Sequence, residues 1–418
     1  MNIVFITRKF FPYGDATSGV VGNLAKAMLE LGNSVKVIAI TEKRLDSYNY
    51  TWNDIDVSLV YAPGLESSQY LKSLVKNNAF KALYSLLVKI FARLRMKLNK
   101  NYRHLSLDPR YIKAYKKAIK QLDSNVDLYL VTLMPQEAVW TAYNCVSDRT
   151  KLAIYQLDTY WNNEMLPSKY SNNRKVFERS LAAECRFFLT TPQIQNINEI
   201  CDHSWGKQLT SVEFPVVQKP NDNNIFCNSD RIHCVFLGTL YPDIRPPEKI
   251  VSVISKTRNS NIVFDFYGNN QELIKNSADY SASLNRIALH GMVSSTEAQE
   301  IRNRADVLVN IDNTCSNQVP SKIFEYISTG KPIINFFFNR DSHVLNYLSL
   351  YPLCINVCVN DDYSISAEYI DEFVESLTGE VVPYSKIEDI YYKNTPKYVA
   401  NLCIETYMNS IHKERKTL

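Results

Sequence analysis

The apolar positions of this 418-residue chain fall into two rounds of one pattern. Each round opens with a short apolar run, crosses a turn-rich loop and continues with apolar residues at helical spacing. In the first round, residues 3–7 read as a strand and residues 11–19 as a loop rich in turn formers. Val21, Leu24, Ala25, Met28 and Leu31 mark one face of a helix over 20–31, closed by Gly32 at a C-cap position. Residues 34–40 form the next β-branched run, and buried-strand candidates follow at 57–61, 128–132 and 152–157. The second round begins at Ile232. Strands at 234–238, 262–268 and 287–291 each end in glycine. A helix over 248–255 lies between the first two of them. A strand at 305–311, a helix at 321–328 and a strand at 332–338 complete the round.

Strand–helix–strand units at this spacing predict an α/β protein with two Rossmann-like, doubly wound domains. The expected division is an acceptor-binding domain over 1–205, a linker over 206–230 broken by Pro215 and Pro220, and a second domain over 231–385. Helices over 386–418 complete the chain.

Composition narrows the classes. Nine cysteines include no Cys-x-x-Cys pair, which argues against a disulfide framework and a structural zinc site and for a reducing, cytoplasmic setting. The apolar start is short and lacks a basic leader. No apolar run approaches the roughly 18 residues of a membrane span. Net charge is +4, yet residues 67–107 alone hold nine Lys or Arg and no Asp or Glu. Within them, Phe80, Leu83, Tyr84, Leu87, Phe91, Leu94 and Leu98 mark one helical face, and Lys81, Lys89, Arg93, Lys97 and Lys100 another. A basic amphipathic helix over about 78–100 is expected, suited to an anionic membrane surface. No recognition motif for nucleic acid accompanies the charge.

The most informative stretch is 319–334. Ser321 can cap a helix whose first backbone N–H groups, through Ile323, point back into the preceding loop. Such an N-terminus suits a phosphate, and Lys322 adds a positive charge there. Glu325 lies about one turn further on the same face, and its carboxylate suits a ribose diol. Gly330 and Pro332 end the helix and lead into the next strand.

This stretch resembles the P-x-K-x-x-E-Y-x-x-x-G-x-P signature of the retaining glycosyltransferases of family 4, whose fold is GT-B: two Rossmann-like domains with an interdomain cleft. Three further segments are similar to that family: the opening loop and helix (Phe11 to Met28), the stretch from Gly238 to Pro247, and the turn His290-Gly291-Met292-Val293-Ser294. The resemblance implies a nucleotide-sugar donor in the C-terminal domain, with Glu325 on the ribose and Arg245 and Lys322 at the diphosphate. It implies Gly238 and Thr239 in the first donor loop, and backbone atoms at Gly291, Met292 and Val293 on the base. It also implies that the last helix returns to the N-terminal domain. A cation at Arg245 would stabilise the departing diphosphate. The family places an arginine directly after the glycine; here Thr239 stands there, and Lys322, Lys249 or Arg8 could supply the second cation.

On the acceptor side, Ser18 and Gly19 are small residues that would let a phosphate or sugar approach backbone N–H groups. Asp15 is expected on an exposed turn, able to bind an acceptor hydroxyl. Asp158, expected at a strand's carboxyl end, is the candidate for orienting the acceptor or taking its proton. The Asp54-Ile55-Asp56 triplet matches a D-x-D metal motif in form but reads as a turn, and the six histidines are scattered, so no metal is expected.

The expected function is transfer of a hexose from a UDP- or GDP-sugar, with retention and no cofactor. The expected acceptor is a glycan or polyprenyl-phosphate-linked acceptor in cell-surface polysaccharide synthesis, at the inner face of the membrane. A sugar-nucleotide epimerase of the same fold and a non-catalytic nucleotide-sugar-binding subunit are the alternatives.

Overall fold

The computed structural model describes residues 1–62, 104–122, 125–161, 163, 166–195, 209–220, 230–314 and 319–417. The basic helix expected over 78–100 lies outside the described residues. The chain divides into two units: Met1–Pro215 with Pro396–Leu418, and Val216–Thr395.

In the first unit, β1 (Asn2–Ile6), β2 (Ser34–Thr41), β3 (Asn49–Trp52), β4 (Ile55–Tyr61), β5 (Leu128–Thr132), β6 (Leu152–Gln156), β7 (Phe187–Thr190) and β8 (Leu209–Ser211) form one sheet. Its order is β3-β4-β2-β1-β5-β6-β7-β8. All neighbours are parallel except β3 and β4. Ile3, Val4, Phe5 and Ile6 are all buried, as a central strand covered on both faces requires. Asn53 and Asp54 have φ of 46° and 63°, so the D-x-D triplet begins in the two-residue hairpin turn between β3 and β4. Asp56 is a strand residue opposite Lys36. β8 lies within the stretch expected to be linker.

Helix α1 (Ala16–Glu30) starts one turn earlier than its apolar spacing suggests, because Asp15 and Ser18 form a capping box. It buries Val20, Val21, Leu24, Ala25 and Met28, each worth roughly 1–3 kcal/mol depending on size. α2 (Pro109–Lys120), α3 (Gln136–Cys145) and α4 (Ser171–Glu184) follow the later strands.

The second unit holds β9 (Ile232–Leu237), β10 (Ile262–Tyr267), β11 (Ile287–Gly291), β12 (Val307–Ile311), β13 (Ile333–Phe337) and β14 (Cys354–Cys358). All are parallel, in the order β11-β10-β9-β12-β13-β14. With strands counted from β9 this is the 3-2-1-4-5-6 order of a dinucleotide-type fold, and the order reverses between β9 and β12. Helices α5 (Glu248–Lys256), α6 (Ser295–Arg304), α7 (Lys322–Ser328) and α8 (Tyr363–Glu375) connect and follow these strands. Ile250, Val253 and Ile254 of α5 and Ala367, Ile370 and Val374 of α8 share one core with Phe236, Phe264, Val309 and Phe336. A side-chain ladder crosses the sheet, Asn310 to Asn335 at 2.7 Å and Asn335 to Asn356 at 2.8 Å. It gives each of these amides a side-chain partner within the sheet.

The final helix, α9 (Pro396–Thr417), belongs to the first unit and packs on α1. Among the described residues no helix is long and apolar enough to cross a membrane.

Candidate functional site

Open parallel sheets bind ligands outside the carboxyl ends of their strands, where the strand order reverses. In the second unit that point lies beyond Leu237 of β9 and Ile311 of β12. The chain after β9 turns tightly, with the Arg245 amide donating to Tyr241 O at 2.9 Å. Thr314 ties the two loops together: its amide donates to Ile244 O and its hydroxyl to Asp243 O, both at 2.8 Å. Arg245 is thereby aimed at the switch point, its Nε donating to Asn313 Oδ1 at 2.9 Å. Beside it, Asp312 is 1% exposed and takes the Ser342 hydroxyl at 2.5 Å and the Asn313 amide at 2.7 Å. Burial pushes the Asp312 carboxyl up to about 6, against the pull of those two bonds and of Arg245. The same burial lowers Arg245 from its ordinary value, though Asp312 works to raise it.

Lys322 enters from the start of α7. Its Nζ donates to Leu237 O, the last carbonyl of β9, at 2.6 Å. Burial lowers its ammonium first, and Arg302 and Arg245 lower it further, while Glu325 raises it. These groups therefore feel one another as a single electrostatic cluster. The capping expected of Ser321 is absent: its backbone is already helical and its side chain makes no cap bond. The Ile323 N–H turns to Pro320 O at 3.2 Å in a tight first turn. The anion-attracting charge at this point comes from side chains more than from an open helix end.

Glu325 is not a free carboxylate. Its Oε2 accepts from Arg302 of α6 at 2.6 Å, with the two side chains 38% and 23% exposed. Arg302 is a site residue that the periodicity of its polar helix does not reveal. Its Nε is buried without a partner among the described residues.

Of the other candidate cations, Lys249 reaches away to Asn360 Oδ1 at 2.5 Å. Arg8 belongs to the first unit, where its charge acts on Glu137 and Tyr115.

At the other end of α6, Gly291 has φ of 78°, the left-handed region that favours glycine. Its amide is taken by Gln271 Oε1 at 3.1 Å, and its carbonyl accepts from the Gly268 amide at 2.7 Å. Gly291 is therefore not a free donor for a base, which leaves the backbone of Met292 and Val293; the Met292 side chain is exposed. The strand before this turn is braced by a pair the sequence did not announce. Buried Asp265 holds His233 Nδ1 and His290 Nε2, both at 2.7 Å, and His290 stacks on Tyr267 with ring centres 4.2 Å apart. Gly238 and Thr239 follow β9 directly, and a Cβ on Gly268 would lie 1.8 Å from Gly238 O, so the two turns approach backbone to backbone.

In the first unit, the N–H groups expected to be open near Ser18 and Gly19 are engaged. The Ser18 amide bonds Asp15 Oδ1 at 3.2 Å and the Gly19 amide bonds Asp15 O at 3.4 Å. Ser18 is fully buried, its hydroxyl also donating to Lys9 O at 3.0 Å. Asp15 thus caps α1, and an approaching phosphate would meet a carboxylate there. Asp158 follows β6 and its side chain reaches solvent. Surrounding protein nevertheless raises its carboxyl by desolvation, and Asp15 raises it further. The two acids therefore share one edge of the first sheet. Among the described residues no three His, Cys, Asp or Glu side chains gather as a metal site.

No protein-family model matches the chain, and no curated protein matches it by sequence. Its shape is similar to several solved structures. Sucrose-phosphate synthase from Thermosynechococcus elongatus aligns with a TM-score of 0.63 and 11% identity, covering 99% of this chain and 100% of that one. The catalytic domain of starch synthase IV from Arabidopsis thaliana, bound to ADP and acarbose, aligns with a TM-score of 0.58 and 10% identity over 99% of each chain. WaaG, a glycosyltransferase involved in lipopolysaccharide biosynthesis, aligns with a TM-score of 0.55 and 11% identity, over 96% of this chain and 99% of that one. The fold is GT-B.

Proposed function

We propose that the chain is a glycosyltransferase that takes a hexose from a UDP- or GDP-sugar and passes it, with retention, to a glycan acceptor. The carrying observation is the cluster of Arg245, Lys322 and Arg302 at the switch point of the second sheet, with Glu325 among them. Three cations outnumber Glu325 and Asp312, leaving a net positive site for an anion, and a nucleoside diphosphate is the anion this fold suits. Lys322 exchanges a carbonyl for a phosphate oxygen. Arg302 fixes Oε2 of Glu325, so Oε1 is presented to a ribose hydroxyl. The backbone at Met292 and Val293 meets the base.

As transfer proceeds, the bond from the sugar's anomeric carbon to the diphosphate oxygen breaks and a bond to the acceptor oxygen forms. Negative charge grows on the leaving group beside Arg245 and Lys322, which bind it more strongly then than before. The acceptor proton leaves to Asp158, whose raised carboxyl makes it the better base. No metal is assigned a part. The structural likeness to a lipopolysaccharide enzyme and the basic stretch over 67–107 support a lipid-linked acceptor and a cell-surface polysaccharide product at a membrane surface.

A thermal-shift screen of the purified chain against UDP-, GDP- and TDP-sugars tests the reading. Stabilisation by one of them in the wild type, lost in Arg245→Ala, is expected. A wild type unmoved by every nucleotide would end the proposal.

A further inference from the structure

We propose that Arg174 and Glu178, one turn apart on α4, are the positioning residues of the turn at 157–161 that carries Asp158. This rests on the reading of Asp158 given above. Arg174 is 1% exposed, and its guanidinium is spent on main-chain carbonyls. Nε donates to Tyr160 O at 3.1 Å, Nη1 to Pro167 O at 3.1 Å and Nη2 to Trp161 O at 3.3 Å. Glu178 is fully buried. Its Oε1 accepts from Gln156 Nε2 at 2.8 Å, and the Trp161 backbone lies near enough to pull the carboxyl down. Gln156 precedes the turn and Trp161 ends it, so one carboxyl bonds the near side and faces the far one, where Arg174 holds the Trp161 carbonyl. Gln156 is itself fixed from β7, accepting from Thr190 Oγ1 at 3.3 Å.

The i, i+4 spacing puts both side chains on one face of α4. That face would be more stable if it were apolar, because burying an arginine and an acid costs more than their bonds return. Glu178 Oε2 and Trp161 Nε1 are buried with no partner among the described residues, so the arrangement is not tuned for stability alone. Burial pushes the Glu178 carboxyl up to about 8. Near neutral pH it is therefore a neutral acid, a hydrogen-bonding clamp and not a counter-charge to Arg174. The clamp holds Asp158 at the carboxyl edge of β6 while leaving its side chain in solvent.

Hydrogen–deuterium exchange of the full chain, read on peptides spanning 157–161, separates a clamp from a packing residue. Glu178→Gln keeps the shape and the bonding, and Glu178→Met keeps the bulk alone. The Gln variant should exchange like the wild type, and the Met variant about tenfold faster in that turn, with β1 and β5 peptides unchanged in both. A Met variant as protected as the wild type, or a Gln variant as exposed as Met, would overturn the proposal. The readout needs no substrate, so its result stands apart from whether any sugar donor is turned over.

Discussion

Replacing Glu325 by alanine tests the proposed donor site most sharply, because that carboxylate has one observed job and one proposed job, of different size. One is the ion pair with Arg302 at 2.6 Å, whose partners are 38% and 23% exposed. Solvent screening at that exposure leaves the pair roughly 0.5 kcal/mol of stability, about 1–2 °C in Tm for a unit of this size. The proposed job is the bond to the ribose. A hydrogen bond to a charged group is worth about 1.5–3 kcal/mol, or on the order of 10- to 150-fold in Kd. The substitution also removes the neighbour that holds the Lys322 ammonium up, leaving burial, Arg302 and Arg245 all pushing it down. Diphosphate binding should therefore weaken further as pH rises. Titration calorimetry with UDP and GDP measures Kd, and the same titration with 2′- and 3′-deoxy analogues completes a double-mutant cycle. Losses from the missing hydroxyl and the missing carboxylate should overlap, not add. A Kd within twofold of wild type for the nucleotide that binds, beside the small drop in Tm, would refute the ribose assignment and leave Glu325 as a partner of Arg302 only.

Two further outcomes follow from the geometry. Gly268→Ala places a methyl 1.8 Å from Gly238 O at a φ of 134°, so it should cost the second unit about 3 kcal/mol or more; a denaturant midpoint unchanged by the substitution would contradict the close approach of the two turns. Glu178 has an ordinary carboxyl value of 4.5 when unfolded and about 8 when folded, so between those values the unfolded chain releases a proton that the folded chain keeps. Its contribution to stability should therefore fall as pH rises from about 4.5 to 8 and level off above, and Glu178→Gln should abolish that fall; parallel pH–stability curves for the two proteins would refute it.

Much of the fold is visible in local pattern, because a parallel sheet covered on both faces needs unbroken apolar runs. Ile3 to Ile6 and Ile262 to Phe264 carry that mark. β14 does not: Asn356 interrupts it and is accommodated only because Asn335 stands opposite, a partner 21 residues away. The signature over 319–334 was readable because Lys322 and Glu325 share one short helix. Arg302 was not, since α6 has no apolar stripe and its partner lies 23 residues further along. Arg174 and Glu178 were hidden for the opposite reason. Charged residues on a helix read as a solvated face, and only the fold shows that this face is inside. Ser18 and Gly19 misled because small residues before a helix look open, whereas Asp15 closes that helix from within one turn.

The placement of α9 bears on how the chain is made. Val399, Ala400 and Cys403 are buried parts of the first unit, yet they are made only after the whole of the second unit. The Val217 amide bonds Asn394 O at 3.0 Å, so the second unit enters and leaves at one place. It can therefore finish folding during synthesis, ahead of the unit that precedes it in sequence. The first unit must wait for α9, which is made after the second unit, so a break between the two would damage the unit encoded first.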